Sequence, residues 1–468
     1  MENTQVRTRI APSPTGYPHI GTIYQALFNF AFAKKNRGQF VLRIEDTDRA
    51  RLVEDAEDAI FEALDWFGLS EDESPRYEGE YGPYRQSNRL EIYKKYVDEL
   101  LEKGGCYYCF CTKERLDVLK SAQSASKQPL IYDRHCRNIA LTDAKKRLDE
   151  PHVIRLKIPD TEKITVNDEI RGRIEFDPHL IEDAVLIKSD GYPTYHFAVV
   201  VDDYLMKITH VIRGEEWLSS LPKHEILYDY FGWDKPLFYH TPSLRNPDKS
   251  KLSKRQGHTS VSWYKDEGYL PEAILNFLAL LGWSHPEEKE EFSLSEFIGL
   301  FDPKDLKPVG PIFDLTKLEW LNGVWIRKLP KEELLKRLER YCRDDESFSQ
   351  VFDSRHINLL LGLAQSRMKK LSDFKILVNA PQKMREFSDE EKEKAKLLLS
   401  ELSAIEHKDW REDIILNHLK NFKDKNEVSM KMVYFLITGR EQGLPLIETM
   451  VKIEGREQIL ANIKSRTQ

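Results

Sequence analysis

The chain has 468 residues, of which 32% are charged and 40% hydrophobic, and a formal net charge of −7. That length fits about three domains, and the composition is that of a globular chain with a heavily charged surface. The acidic balance argues against a partner held by bulk positive charge and leaves only local basic patches for nucleic acid. The longest apolar run, AILNFLALLGW at 273–283, is too short for a membrane span of ~20 residues. The first ten residues, MENTQVRTRI, lack the apolar stretch of a secretion signal. Five cysteines in so long a chain do not make a disulfide scaffold, so the cytoplasm is the expected compartment and no membrane partner is expected.

In chain order, residues 6–11, VRTRIA, alternate and predict a strand. A loop with three prolines and two glycines follows, APSPTGYPHIGT at 11–22. Ile23, Ala26, Leu27, Phe30 and Ala33 then recur at helical spacing until Gly38, and QFVLRIE at 39–45 predicts a second strand. Strand, loop, helix and strand make a βαβ unit, hence a parallel sheet. Residues 54–67 and 88–102 read as helices. From about Gly104 cysteines cluster, and VIRLKI and ITVNDEIRGRIEF alternate like the strands of an α+β insertion. LIKSDGYPTYHFAVVVDD and ITHVIRGEEW read as sheet, KHEILYDYFGW as helix and PLFYH as strand. RNPDKSKLSKRQGH is a polar loop with five Lys/Arg against one Asp. Residues 271–282 are helical, and from about Pro330 nearly everything reads as charged helix. The fold class is α/β: a Rossmann-like nucleotide-binding domain with an α+β insertion, followed by an all-helical C-terminal region.

Two stretches carry chemistry. A helix N-terminus after a tight loop offers unpaired N–H groups and a favourable dipole to an anion. Gly21 leaves the backbone there uncovered, and His19 can present a ring nitrogen to phosphate. Taken alone, a turn histidine before a helix is the commoner reading. Lys251 and Lys254, in KLSKR at 251–255, sit in a basic loop that can close over a polyphosphate; alone it is a solvated loop. Together, in this order and about 230 residues apart, PHIGT and KLSKR resemble the His-Ile-Gly-His and Lys-Met-Ser-Lys-Ser signatures of class I aminoacyl-tRNA synthetases.

The resemblance extends from Arg9 to about Gly323. RIAPSPTGYPHIGTIYQALFNFAFA, LRIEDTDRAR, LDWFGL, GPYRQSNRLEIY, SDGYPTYHFAVVVDD, HVIRGEEWL, LRNPDKSKLSKR and FDLTKLEWLNG all look like bacterial glutamyl-tRNA synthetases. That resemblance implies ligation of L-glutamate to tRNA-Glu through an ATP-derived adenylate, with Mg²⁺ accompanying the ATP. It implies a catalytic domain in two halves, 1–103 and 191–250, around an acceptor-end insertion at 104–190. A junction at 251–329 and a helical anticodon-binding region at 330–468 follow. His19, Lys251 and Lys254 are the catalytic residues it implies. His19, Gly21, Glu216, Leu244 and Lys254 would bind ATP, and Arg9, Ala11, Ser13, Glu45, Tyr195 and Arg213 would line the glutamate pocket. Arg9 and Arg213 suit a carboxylate because a guanidinium pairs with it through two charged hydrogen bonds. Arg367 resembles an arginine that some members use to read the third anticodon base. A monomer is expected. Structural alternatives exist for single residues: Arg9 and Glu45 as a cross-strand pair, Asp46 or Asp48 as helix caps.

Cys109, Cys111 and Cys136 resemble the Zn²⁺ knuckle of some members. The fourth ligand is expected at Asn138, a poor zinc donor, with Cys106 or His135 as substitutes, so ordinary thiols in a degenerate site are the expectation. Two other classes compete with the ligase reading: a silent tRNA-binding paralogue, opposed by the intact His19, Lys254, Arg213 and Glu216, and a short nucleotidyltransferase, opposed by the length. The helical tail argues against glutaminyl-tRNA synthetase, which is expected to end in β-barrels.

Overall fold

The computed structural model describes residues 5–252, 259–344, 352, 357–379, 387–440 and 443–467. The chain divides into two compact units, Met1–Trp263 with Leu275–Asp314, and Tyr264–Ile274 with Leu315–Gln468.

In the first unit, β1 (Arg7–Ile10), α1 (Ile20–Lys35) and β2 (Gln39–Leu42) form the expected βαβ unit. The two strands run parallel, with Arg7 opposite Gln39 and Ile10 opposite Leu42. Every residue of β1 is buried, and α1 buries Ile23, Leu27 and Phe30 at the spacing read from the sequence. Helices α2 (Ala56–Phe67) and α3 (Leu90–Glu102) follow, α2 ending on Gly68 in the left-handed conformation at φ 67°.

Next come β3 (Cys106–Cys109), α4 (Lys113–Ala125), the single turn α5 (Leu141–Ala144), β4 (Val153–Leu156), β5 (Ile164–Asp168), β6 (Gly172–Phe176) and β7 (Val185–Ile187). Strands β3, β4 and β7 make one antiparallel sheet, and β5 and β6 a hairpin.

The chain then forms α6 (Tyr195–Leu205), β8 (His210–Gly214), α7 (Leu221–Phe231) and β9 (Leu237–Thr241), with β8 and β9 parallel. Here the sequence reading needs correcting. YHFAVVVDD, expected to be sheet, is helix. Phe197 to Val201 are all buried, so core contacts on every side override the β preference of the branched residues. The Thr209 N–H donates to the Arg7 carbonyl at 3.0 Å, which ties the start of β8 to β1.

A lattice of buried charge lies under these elements. Asp202 and Asp203, near the end of α6, are 0% and 3% exposed. Arg9 from β1 forks onto Asp203 at 3.1 and 3.3 Å. Arg43, just past β2, reaches Asp203 at 2.8 Å, and Arg89 reaches Asp202 at 2.7 Å. Gln86 and the Tyr93 hydroxyl also donate to Asp202, each at 2.8 Å. Carboxylates this deep persist only with charged partners and further hydrogen bonds.

The second unit is helical, and among the described residues no strand follows β9. Leu270, Ile326, Leu334, Leu338, Leu361 and Met368 share one core. The helices Asp389–Ser403, Glu412–Lys425, Met430–Thr438 and Gly455–Arg466 share another. Ser388 and Glu391 form a capping box at the start of the first of these. Among the described residues no helix is long and apolar enough to cross a membrane.

Asp203→Asn should lower stability by about 3–5 kcal/mol, because it leaves Arg9 and Arg43 without their common counter-charge. Urea unfolding followed by tryptophan fluorescence measures this; an unchanged first transition would show that the lattice is not under load.

Candidate functional site

Two cavities meet where the carboxyl ends of β1 and β8 converge, the place where open parallel sheets bind ligands. One, of about 470 Å³, is lined by Arg9, Ser13, Glu45, Tyr195, Arg213 and Trp217 among others. The other, of about 540 Å³, is lined by His19, Gly21, Tyr24, Leu244, Lys251 and Leu252 among others. Ile10, Ala11, Gln25 and Glu216 line both, so the cavities share a wall. Every residue expected to hold glutamate thus lies on the first cavity, and the described residues expected to touch nucleotide lie on the second. Lys254 falls in 253–258, outside the described residues.

In the first cavity the arginines differ from the expectation of two free forks. Arg9 spends two nitrogens on Asp203. Arg213 donates from Nε to His240 Nε2 at 3.0 Å, and from Nη1 to His224 Nδ1 at 3.1 Å and Tyr195 Oη at 3.2 Å. Its Nη2 is buried with no partner among the described residues. A buried donor left unmet costs about 1–3 kcal/mol. The two histidines are uncharged at neutral pH. Burial and the nearby Arg213 guanidinium hold His224 well below the usual range, and burial brings His240 to about 4 against the pull of Asp168. Glu45 does not pair with Arg9 across the strands; Arg43 Nη2 donates to it at 3.2 Å. Burial pushes its carboxyl up to about 7, against the pull of Arg43 and Arg9. Asp46 caps from a distance: it accepts the N–H of Ser87, in the first turn of the short helix Gln86–Arg89, at 2.8 Å, and also accepts from Arg49 at 3.3 Å. Asp48 precedes the short turn Arg49–Arg51 without a side-chain cap bond.

In the second cavity His19 is the N-cap of α1. Its Nδ1 accepts the Gly21 N–H at 2.9 Å, which leaves the ring proton on Nε2 as a donor. A Cβ on Gly21 would stand 3.1 Å from that Nδ1, so glycine keeps the cap and the approach to the helix open. The stem of the basic loop is zipped: the Leu252 N–H donates to the Leu244 carbonyl at 3.0 Å, and Lys251 pairs with Arg245 across it. Lys251 Nζ lies 3.9 Å from Glu216 on the shared wall, and both side chains are exposed.

Cys109, Cys111 and Cys136 converge, with their sulfurs within 4.8 Å of one another. Neither Cys106 nor His135 joins them among the described residues; the Cys106 thiol faces the Val97 carbonyl at 3.9 Å. The fourth group is one the spacing did not suggest. Tyr132 Oη sits 3.3 Å from Cys109 Sγ and 3.4 Å from Cys111 Sγ, and accepts the Cys136 N–H at 3.0 Å. The Cys111 and Cys136 sulfurs are 3.6 Å apart. These separations suit the edges of a tetrahedron around zinc, whose Zn–S bonds are about 2.3 Å. Burial raises the Cys111 thiol to about 11, whereas hydrogen bonds from Tyr132 and Arg155 hold Cys109 below its usual value in spite of burial.

In the helical unit Arg367 is exposed, and its Nη1 donates to the Gly443 carbonyl at 3.0 Å. Its neighbours Lys369 and Lys370 pair with Glu319 and Glu267.

The sequence reading missed Asp168, Asp203, His224, His240 and Gln25. Two left a signal. Asp168 occupies the third buried position of β5 after Ile164 and Val166, where alternation demands an apolar side chain. Asp202 and Asp203 close an apolar run, Val199 to Val201. The buried histidines had no pattern to betray them.

A model of the class I tRNA synthetases (E and Q), catalytic domain, matches residues 5–320, and an anticodon binding domain model matches 332–466. A glutamate–tRNA ligase of Acidothermus cellulolyticus is 45% identical over 98% of this chain and 95% of its own length. One of Cellvibrio japonicus is 44% identical over 98% and 93%. The crystal structure of a glutamate tRNA ligase from Elizabethkingia meningosepticum in complex with its amino acid superposes with a TM-score of 0.84, at 35% identity and 99% coverage of both chains.

Proposed function

The chain belongs to the class I glutamyl-tRNA synthetases, and we propose that its joined cavities divide that family's substrates, glutamate in the first and MgATP in the second. The reaction joins L-glutamate to ATP as an adenylate, releasing pyrophosphate, and passes the acyl group to the terminal adenosine of tRNA-Glu. The observation that carries this division is the shared wall. A ligand in each cavity would bring its reacting end to Ile10, Ala11, Gln25 and Glu216. No protein nucleophile is required, because the glutamate α-carboxylate attacks the α-phosphate; the protein positions both and stabilises charge. His19 Nε2–H and the first N–H groups of α1 face phosphate, and Lys251 and Lys254 supply positive charge as pyrophosphate leaves. Leu244 and Glu216 contact the nucleoside. A cytoplasmic monomer acting on tRNA-Glu completes the reading.

Glutamate-dependent exchange of pyrophosphate into ATP, in the presence of tRNA-Glu, tests it. The expected result is robust exchange that Lys254→Ala cuts about 10²–10³-fold. A chain that binds tRNA without any exchange would be the silent paralogue.

We assign the glutamate side-chain carboxylate to Arg213 Nη2 and the glutamate ammonium to Glu45. A carboxyl titrating at about 7 is neutral at pH 6 and charged at pH 8, and only the charged form holds an ammonium. The KM for glutamate should therefore fall by up to about tenfold from pH 6 to pH 8. Glu45→Gln should raise KM and flatten this dependence; a pH-independent KM in the parent enzyme would remove Glu45 from that role.

For the cysteine cluster, Cys109, Cys111, Cys136 and Tyr132 would hold a zinc ion, which would brace the insertion and take no part in the chemistry. A neutral phenol is a poorer donor than a fourth thiolate or imidazole, so the ion is expected to be loosely held. Gel filtration with a mild chelator followed by elemental analysis should find well under one zinc per chain; one tightly held zinc would overturn this.

Arg367 is the residue we propose for reading the third anticodon base, since an arginine can stack on a splayed base or bond its edge. Arg367→Gln should change the ratio at which tRNA-Glu and tRNA-Gln are charged. Equal weakening of both, with a shallower salt dependence, would mark Arg367 as a phosphate contact only.

A further inference from the structure

A guanidinium can only donate, so every hydrogen-bond partner of Arg213 must offer a lone pair. His240 meets this through Nε2, which requires its proton to sit on Nδ1. That proton has a place to go: Asp168 Oδ2 lies 2.8 Å from His240 Nδ1, with both side chains fully buried. Asp168 cannot turn away. Oδ1 accepts the N–H groups of Arg171 at 2.8 Å and Ile170 at 3.2 Å, and Oδ2 also accepts the His240 N–H at 2.9 Å. His224 faces the same demand from the other side. Its Nδ1 accepts from Arg213 Nη1, so its proton is on Nε2, pointing at His196 Nδ1 at 3.2 Å. The backbone is held as well: Thr241 Oγ1 donates to the Arg213 carbonyl at 3.2 Å and accepts from Gln25 Nε2 at 2.6 Å.

We infer that Asp168, His240 and His224 are positioning residues for glutamate selection: they fix two neutral imidazoles in opposite tautomers so that Arg213 turns its one unpaired N–H edge into the amino-acid cavity. With the other tautomer at His240, an N–H would confront the Arg213 Nε–H, and the guanidinium would swing away. The carboxylate that sets this tautomer belongs to the β5–β6 hairpin of the insertion, so the insertion contributes to the amino-acid pocket from behind. What the arrangement demands is lone pairs at two defined points.

The inference rests on the reading that Arg213 receives the glutamate side chain, and the two can be tested apart. Aminoacylation by the full chain, with MgATP and tRNA-Glu, gives kcat and KM for glutamate and KM for ATP. Arg213→Gln tests the reading: if it keeps wild-type kinetics for glutamate, Arg213 is not in the pocket and both claims fall. His240→Leu, His224→Leu and Asp168→Asn test the positioning. Each should cut kcat/KM for glutamate by about ten- to a hundredfold, as expected for a lost hydrogen bond to a charged group, with KM for ATP unchanged. In Asp168→Asn an amide N–H must confront either the hairpin N–H groups or His240. Glutamine places its oxygen where imidazole has Nε2, and asparagine where it has Nδ1. His240→Gln and His224→Asn should therefore recover most of what leucine loses. If the leucine variants match the wild type, or do no worse than the amide variants, the histidines only fill space and the inference fails while the reading stands. Imidazole ¹⁵N shifts in the unmodified protein give an answer that does not depend on variants folding: His240 must be the neutral Nδ1–H form and His224 the neutral Nε2–H form between pH 6 and 8. Either ring in the opposite tautomer overturns the inference.

Discussion

Two adjacent carboxylates, Asp202 and Asp203, are buried near the end of α6, and the catalytic unit is organised by the need to neutralise them. Their partners come from three places that are distant in the chain: Arg9 on β1, Arg43 beyond β2, and Arg89 at the start of α3. Asp203 draws Arg9 and Arg43 together and Asp202 holds Arg89, so the lattice ties these elements to one another in addition to the apolar packing. It also decides what the pocket can offer. Arg9 lines the amino-acid cavity with two nitrogens committed to Asp203, whereas Arg213, which also lines it, keeps Nη2 without a partner among the described residues.

The role proposed for Arg213 depends on neutral surroundings. A second cation beside it would repel it, and burial prevents this by keeping His196 and His240 at about 4 and His224 well below the usual range. Glu45 stands at the other extreme, a carboxyl raised to about 7 that a substrate ammonium would pull back into its charged form. The cavity is therefore polar at both ends in the complementary sense to an amino acid with an acidic side chain. The second cavity is simpler: it presents the start of α1, a histidine whose cap bond sets its tautomer, and Lys251.

What could be read from the sequence was what local patterns encode. The βαβ unit followed from alternation and helical spacing, and Gly21 and His19 stood out because a loop dense in proline and glycine precedes a helix. The residues of both cavities followed from the family motifs. The segment Tyr195–Leu205 defeated the reading because its valines are buried on all sides, which local preference cannot register. His224 and His240 were invisible for a different reason: each looks like an isolated polar residue in an ordinary helix or strand, and its role exists only once β8, β9 and the β5–β6 hairpin are brought together. Tyr132 escaped because metal-site spacings are sought among cysteine and histidine, and a phenol that closes the cluster from within a loop follows no such rule.

Recognition of a carboxylate through a pre-positioned guanidinium has a direct kinetic signature. The most direct test is the ratio of kcat/KM for glutamate over glutamine in tRNA-dependent pyrophosphate exchange. Selection through a buried charged partner predicts a ratio of about 10⁴ or more. A ratio no greater than about 10², the range that a size-selective apolar pocket can give, would contradict it.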